Sequence, residues 1–203
     1  MDNNEIVFLL NHKEKIRLTF QGLLHEIDCC DDGLITFIQD YYKIILNDGS
    51  IRDAIYILGI LLQKSLNKKL LLPESIKEDI GFVYNQYNYS LWLKDDFIIT
   101  NPFLDKNVEE NNVWIGTIYH LWAFKECVTW LYNDKNGLII FEITPLYPFF
   151  YDTPKELSSI SYNEWIKNYK PYVIKVIPKE IAQQWLQQAN ALIKQIDANI
   201  VRD

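Results

Sequence analysis

Glycine is scarce in this chain, and with it goes the commonest way of holding a phosphate group. Seven glycines are scattered through 203 residues. None falls into a GxxxxGK[ST] or GxGxxG pattern, whose small residues let backbone N–H groups close on phosphate. A GxSxG nucleophile elbow and an HExxH metal helix are also missing. Cysteine is nearly absent: Cys29, Cys30 and Cys127 are an odd number, which excludes a fully paired disulfide framework. Positive charge is in deficit, with 20 Lys and Arg against 27 Asp and Glu, a net charge of −7 and a pI near 5.0. Nucleic-acid binding draws its affinity from clustered cations that displace counterions, so nucleic acid is excluded as a partner. Long apolar runs are missing too. The longest, Ile55 to Leu62, is far short of the about 20 residues needed to cross a bilayer. Together with the acidic start Met1-Asp2-Asn3-Asn4-Glu5, this predicts a cytoplasmic protein with no membrane partner.

What is present is apolar mass. Hydrophobic residues make up 49% of the chain and aromatics 14%, enough to build a core without staples. The length fits one α+β domain over 1–203, with residues 101–112, polar and carrying Pro102, as the one plausible seam.

Period-two alternation in Glu5–Leu10 and Lys15–Phe20, across Asn11-His12-Lys13-Glu14, predicts an N-terminal hairpin, and Leu23–Asp28 is a candidate third strand. Leu34, Phe37, Ile38, Tyr41, Tyr42 and Ile45 recur at threes and fours, which predicts a helix over about 33–46. Ser50 and Asp53 open a second helix over 51–66, and Pro73 with Ser75 and Glu78 a third over 74–87. A mostly antiparallel sheet is predicted over about 89–147, from short strands near Tyr89–Leu93 and Phe97–Thr100 and stronger ones at Val113–Phe124, Val128–Tyr132 and Leu138–Thr144. Gly137 supplies the positive φ in the turn between the last two. Ser161 caps a short helix, Tyr172–Ile177 is a further strand candidate, and Pro178 starts a long helix over 178–199 with the stripe Ile181, Trp185, Ala189, Leu192 and Ile196.

The parity of the apolar residues makes a register prediction. Val128, Trp130 and Tyr132 are even, whereas Ile139, Phe141 and Ile143 are odd, so a shared apolar face sets Trp130 opposite Phe141. Glu142 then falls on the reverse face with Thr129 and, given a tight turn at Lys125-Glu126, with His120 and Trp122. His120 and Glu142 would be on the order of 10 Å apart across the middle strand.

Candidate chemistry follows from these placements. His25, Cys29, Cys30 and the acids Glu26, Asp28, Asp31 and Asp32 are dense but lack a second spaced ligand pair. Adjacent cysteines on an extended chain point to opposite faces. Buried cysteines beside a helix cap are the expected reading, with no metal and no cofactor. Cys127 beside His120 lacks a third, orienting group. The aromatic residues of the second half, including Trp92, Trp114 and Tyr119, fit core packing, while Leu146–Tyr151 reads as a lid or a binding hot spot.

The expected function is a non-catalytic acidic interaction module of bacterial immunity or antitoxin type, holding a basic protein partner. Glu109, Glu110, Asp105, Asp31 and Asp32 supply contact charge, and Tyr147, Phe149 and Phe150 supply anchors. Two alternatives stand beside it. One is a small enzyme using His120 and Glu142 with Thr129; the other is a pocket for an apolar ligand lined by Trp122 and Trp130.

Overall fold

The computed structural model describes residues 3–28, 31–74, 76, 79–93, 115–147 and 160–200. Among them the chain is α+β, with two antiparallel four-stranded sheets and four helices.

The first sheet, sheet A, is a meander of β1 (Asn3–Leu9), β2 (Glu14–Gln21), β3 (Asp32–Gln39) and β4 (Tyr42–Ser50). Its first hairpin follows from the alternation, with Ile6 opposite Leu18 and Phe8 opposite Ile16. The segment at 23–28 is not a strand; it holds a short 3-10 turn at Leu24–Glu26. The helix expected over 33–46 is also overturned, because this stretch forms the β3–β4 hairpin. Spacings of three and four arise equally from two alternating strands joined by a short turn. The run Ile35-Thr36-Phe37-Ile38 is β-branched and aromatic, which favours the pleated form. Asp40 takes the turn, at φ 51°.

Ser50 caps α1 (Ile51–Leu66), its hydroxyl accepting from the Asp53 N–H. The helix expected at 74–87 lies later, as α2 (Ile80–Leu93), and so absorbs the strand expected at Tyr89–Leu93. Asp79 is its cap, accepting from the Phe82 N–H at 2.7 Å. The strand expected at 97–100 and the seam at 101–112 lie outside the described residues.

Sheet B runs in the order β5 (His120–Phe124), β6 (Cys127–Asn133), β7 (Ile139–Pro145) and β8 (Val173–Ile177). Residues 115–119, expected at the start of a longer strand, are a 3-10 turn. Gly137 turns between β6 and β7 at φ 81°. Between β7 and β8 lies α3 (Tyr162–Lys167), capped by Ser161. After Pro178 comes α4 (Lys179–Ile200).

The predicted register is overturned by one residue. Trp130 pairs with Glu142, and Leu131 pairs with Phe141. Every residue of β6 and β7 is buried, so both faces are packed and apolar parity cannot tell them apart. One face looks to sheet A, where Phe141 meets Phe37 at 6.0 Å between ring centroids. The other carries Trp130, Glu142, Thr144 and Tyr132 under α2, with Tyr84 edge-on to Trp130 at 5.0 Å.

The remaining helices close the layers. α1 packs along α4, tied by Arg52 Nε to Asp197 at 2.8 Å. α4 also seals the free edge of β1: Trp185 Nε1 donates to the Leu9 carbonyl at 2.8 Å, and the Gln188 amide to the Val7 carbonyl at 3.1 Å. Edge carbonyls that would otherwise invite a foreign strand are thereby occupied.

Candidate functional site

The chemistry of the described chain concentrates at Glu142, in the middle of β7 and with no exposed surface. Its Oε1 accepts from the Thr144 hydroxyl at 2.9 Å and from the Gly81 N–H at 3.3 Å; its Oε2 accepts from the Tyr132 hydroxyl at 2.9 Å. Trp130 Nε1 in turn donates to Thr144 Oγ1 at 2.9 Å. Gly81 is what lets the helix come this close. A Cβ there would sit 2.1 Å from Thr144 Oγ1 and 2.3 Å from the Tyr169 hydroxyl. The site therefore joins the first turn of α2, the centre of sheet B and the segment following α3.

Burial penalises the charged carboxylate, and the neighbouring Asp79 adds repulsion. Together they outweigh the three donors and push Glu142 up to about 7. Tyr132 and Tyr169 are raised well above the ordinary phenol range, first by burial and then by the charge of Glu142. The Tyr169 hydroxyl is buried beside Thr144 and Asp79. The result is a network poised to hold or release one proton near neutrality, sealed from solvent by its own packing.

The other predicted site residues scatter. His120 shares the Glu142 face but lies two strands away, with Trp130 at the position between them; its ring stands 5.6 Å from that of Trp130. Loss of hydration against this packing holds its pKa below the ordinary imidazole value, although part of the residue reaches solvent. Thr129 and Trp122 do not join that face. A register shift after His120 turns Trp122 to the Thr129 side, where its Nε1 donates to the Ala54 carbonyl of α1 at 3.2 Å. The Thr129 hydroxyl is buried there without a partner. Trp122 and Trp130 thus lie on opposite faces of the sheet and do not line one pocket.

Cys127 is buried at the far end of the β5–β6 hairpin from His120. Its thiol donates to the Ile45 carbonyl at 3.3 Å, and burial pushes it up to about 11. A thiol so placed is protonated and unreactive at neutral pH. Cys29 and Cys30 lie outside the described residues. Among the described residues no group of three or more His, Cys, Asp or Glu side chains is arranged to hold a metal ion.

Tyr147 is buried rather than presented to a partner. Its N–H donates to Asn85 Oδ1 at 2.9 Å and its hydroxyl to the Ile160 carbonyl at 2.7 Å. Phe149, Phe150, Asp105, Glu109 and Glu110 lie outside the described residues. Asp31 and Asp32 line an open groove at one end of sheet A with Asp48, Thr19, Phe20 and Leu34, enclosing about 470 Å³. Asp32 and Asp48 are exposed, and the Asp31 carboxylate accepts from the Asp28 N–H at 2.8 Å.

Asp79, Gly81, Tyr132, Thr144 and Tyr169 were not singled out by the sequence. The one signal available was local: Asp79-Ile80-Gly81-Phe82 is a usable cap followed by a glycine in an otherwise apolar helix. No protein-family model, curated protein or solved structure matches the chain.

Proposed function

We propose that this chain is a non-catalytic interaction protein that holds a basic protein partner, in the manner of a bacterial immunity or antitoxin protein. The carrying observation is the acidic groove at the end of sheet A. Exposed Asp32 and Asp48 stand beside Asp31, with Leu34 as the apolar residue on the same face of the sheet. A cationic side chain entering such a groove gains charge attraction at its tip and apolar contact along its stem. The net charge of −7 extends the attraction beyond contact range and speeds encounter with a positive partner.

The groups that would carry an enzymatic reading are engaged otherwise. Glu142 has no exposed surface from which to reach a substrate, and the Cys127 thiol stays protonated. Binding therefore accounts for the exposed charge better than catalysis does.

The test is a binding titration against any basic protein encoded by the genes that flank this chain's own, at 50 mM and 300 mM salt. Affinity should fall steeply with salt. A triple Asp31→Asn, Asp32→Asn, Asp48→Asn variant should bind at least about tenfold more weakly, given the cost of truncating charge pairs. No association, or association indifferent to both salt and these substitutions, removes the reading.

A further inference from the structure

We infer that Glu142 and the first turn of α2 form a proton-operated latch, in which the helix seats on sheet B while the carboxyl is uncharged and its first turn loosens when the carboxyl ionises. The inference is independent of the acidic groove and would stand if that groove bound nothing.

The geometry places two carboxylates at one helix terminus. Asp79 caps α2 through the Phe82 N–H, and Glu142 takes the neighbouring Gly81 N–H. The positive end of a helix dipole stabilises one negative charge there, and its effect fades within a turn. A second charge on the wholly buried Glu142 is repelled by the half-buried Asp79 beside it. No cation relieves this: among the described residues, neither Lys nor Arg forms an ion pair with Glu142 or Asp79.

The groups facing Glu142 from each packed element are of one kind. From β6 comes the Tyr132 phenol, from β7 the Thr144 hydroxyl, from the start of α2 Asp79 and the Gly81 N–H, and from the chain after α3 the Tyr169 phenol. On β8 the residue opposite is Ile174, which carries no charge. On β5 the only titratable group of that face is His120, beyond Trp130. The Tyr169 hydroxyl is buried beside Thr144 and Asp79 and brings no charge to offset that of Glu142.

The hinge is marked by the contacts that would part. Gly81 allows the close seat, and Tyr84, one turn on, covers the Trp130 ring. Loosening the first turn therefore uncovers Trp130 and the centre of sheet B, turning the loss of a proton into exposure of an aromatic face.

Amide hydrogen exchange tests this on the intact chain. After correction for intrinsic rates, protection of the Gly81–Tyr84 amides should fall on the order of 50-fold between pH 5 and pH 8. The amides of α1 and α4 should stay better protected than these at both pH values and lose no more than the measured decline in global stability. Glu142→Gln should abolish the transition, and Asp79→Asn, which keeps a capping side chain but removes the charge, should move its midpoint to lower pH. Should Glu142→Gln fail to fold, the Glu142 carboxyl can be followed by carbon NMR in the natural chain. Its titration must then coincide with the exchange transition. A flat exchange profile, a transition that survives Glu142→Gln, a midpoint unmoved by Asp79→Asn, or a carboxyl that titrates apart from the exchange change overturns the latch.

Discussion

Trp130 and Glu142 stand directly opposite each other on β6 and β7, and neither exposes any surface. A carboxyl in the same packed layer as an indole is held largely by hydroxyl donors, so its charge state bears on the stability of the whole domain. The carboxyl rises from its ordinary 4.5 to about 7. A raised carboxyl favours folding most below its unfolded value, and that contribution is lost as pH climbs through the folded one. The loss amounts to about 3 kcal/mol. Denaturant unfolding at pH 5 and pH 8.5 should show this decline in the natural chain. In Glu142→Gln the decline should vanish, with the variant less stable at pH 5 and equal or better at pH 8.5.

Glu14 and Lys175 set the opposite slope. They join β2 to β8 across the gap between the sheets at 2.5 Å, with side-chain exposures of only 10% and 27%. Burial alone would raise Glu14, but hydrogen bonds from Lys175 and from Asn11, the latter at 2.7 Å, hold it below its ordinary value. A lowered carboxyl contributes stability above its unfolded value and loses it as pH falls. Lys175→Met should therefore cost about 2 kcal/mol near neutrality, discounted for the partly exposed lysine. The difference between variant and natural chain should shrink as pH falls and Glu14 takes up its proton, later in the natural chain than in the variant. Paired thermal melts at pH 7 and pH 3.5 read both effects.

Asn133 ties three segments with one amide. Its Oδ1 accepts from the Leu70 N–H at 3.3 Å, and its Nδ2 donates to the Ser65 carbonyl at 3.0 Å and the Gly137 carbonyl at 3.3 Å. Its own backbone also bonds to Leu70 and Leu72. Truncation to Ala leaves buried polar groups at the end of α1 and in the β6–β7 turn without partners. Asn133→Ala should cost about 3 kcal/mol in denaturant unfolding. A loss under about 1 kcal/mol would mean that water reaches and satisfies those groups.

The sequence made some of this legible and hid the rest for identifiable reasons. The β1–β2 hairpin was readable because β2 has one fully packed face, so Ile16, Leu18 and Phe20 alternate with half-buried neighbours. The caps at Ser50 and Ser161 and the core stripe of α4 are local signals and carried through. The β3–β4 hairpin was hidden because its turn fell where helical spacing also fits. Glu142 itself was a candidate, but its partners were hidden for a different reason. A lone acid between apolar neighbours reads as the solvent side of a strand, unless the helix that covers it is known to dock there. Only the tertiary seat of α2 reveals that Asp79, Gly81 and Glu142 belong together.

That seat depends on the absence of a side chain at Gly81. A methyl group there would have to displace Thr144 Oγ1 and the Tyr169 hydroxyl, both closer than any real contact allows. On an exposed helix, Gly→Ala gains up to about 1 kcal/mol from propensity. Here, overpacking should reverse the sign and cost about 2 kcal/mol or more. Because the Thr144 hydroxyl also donates to Glu142, the cost should not be additive. Thr144→Ala with Tyr169→Phe removes both obstructing oxygens, so Gly81→Ala added to that pair should cost far less than it does alone. The cycle is measured by denaturant unfolding at pH 5, where Glu142 is protonated and its charge does not enter. Equal costs of Gly81→Ala in the two backgrounds would show that the first turn of α2 does not rest on these oxygens.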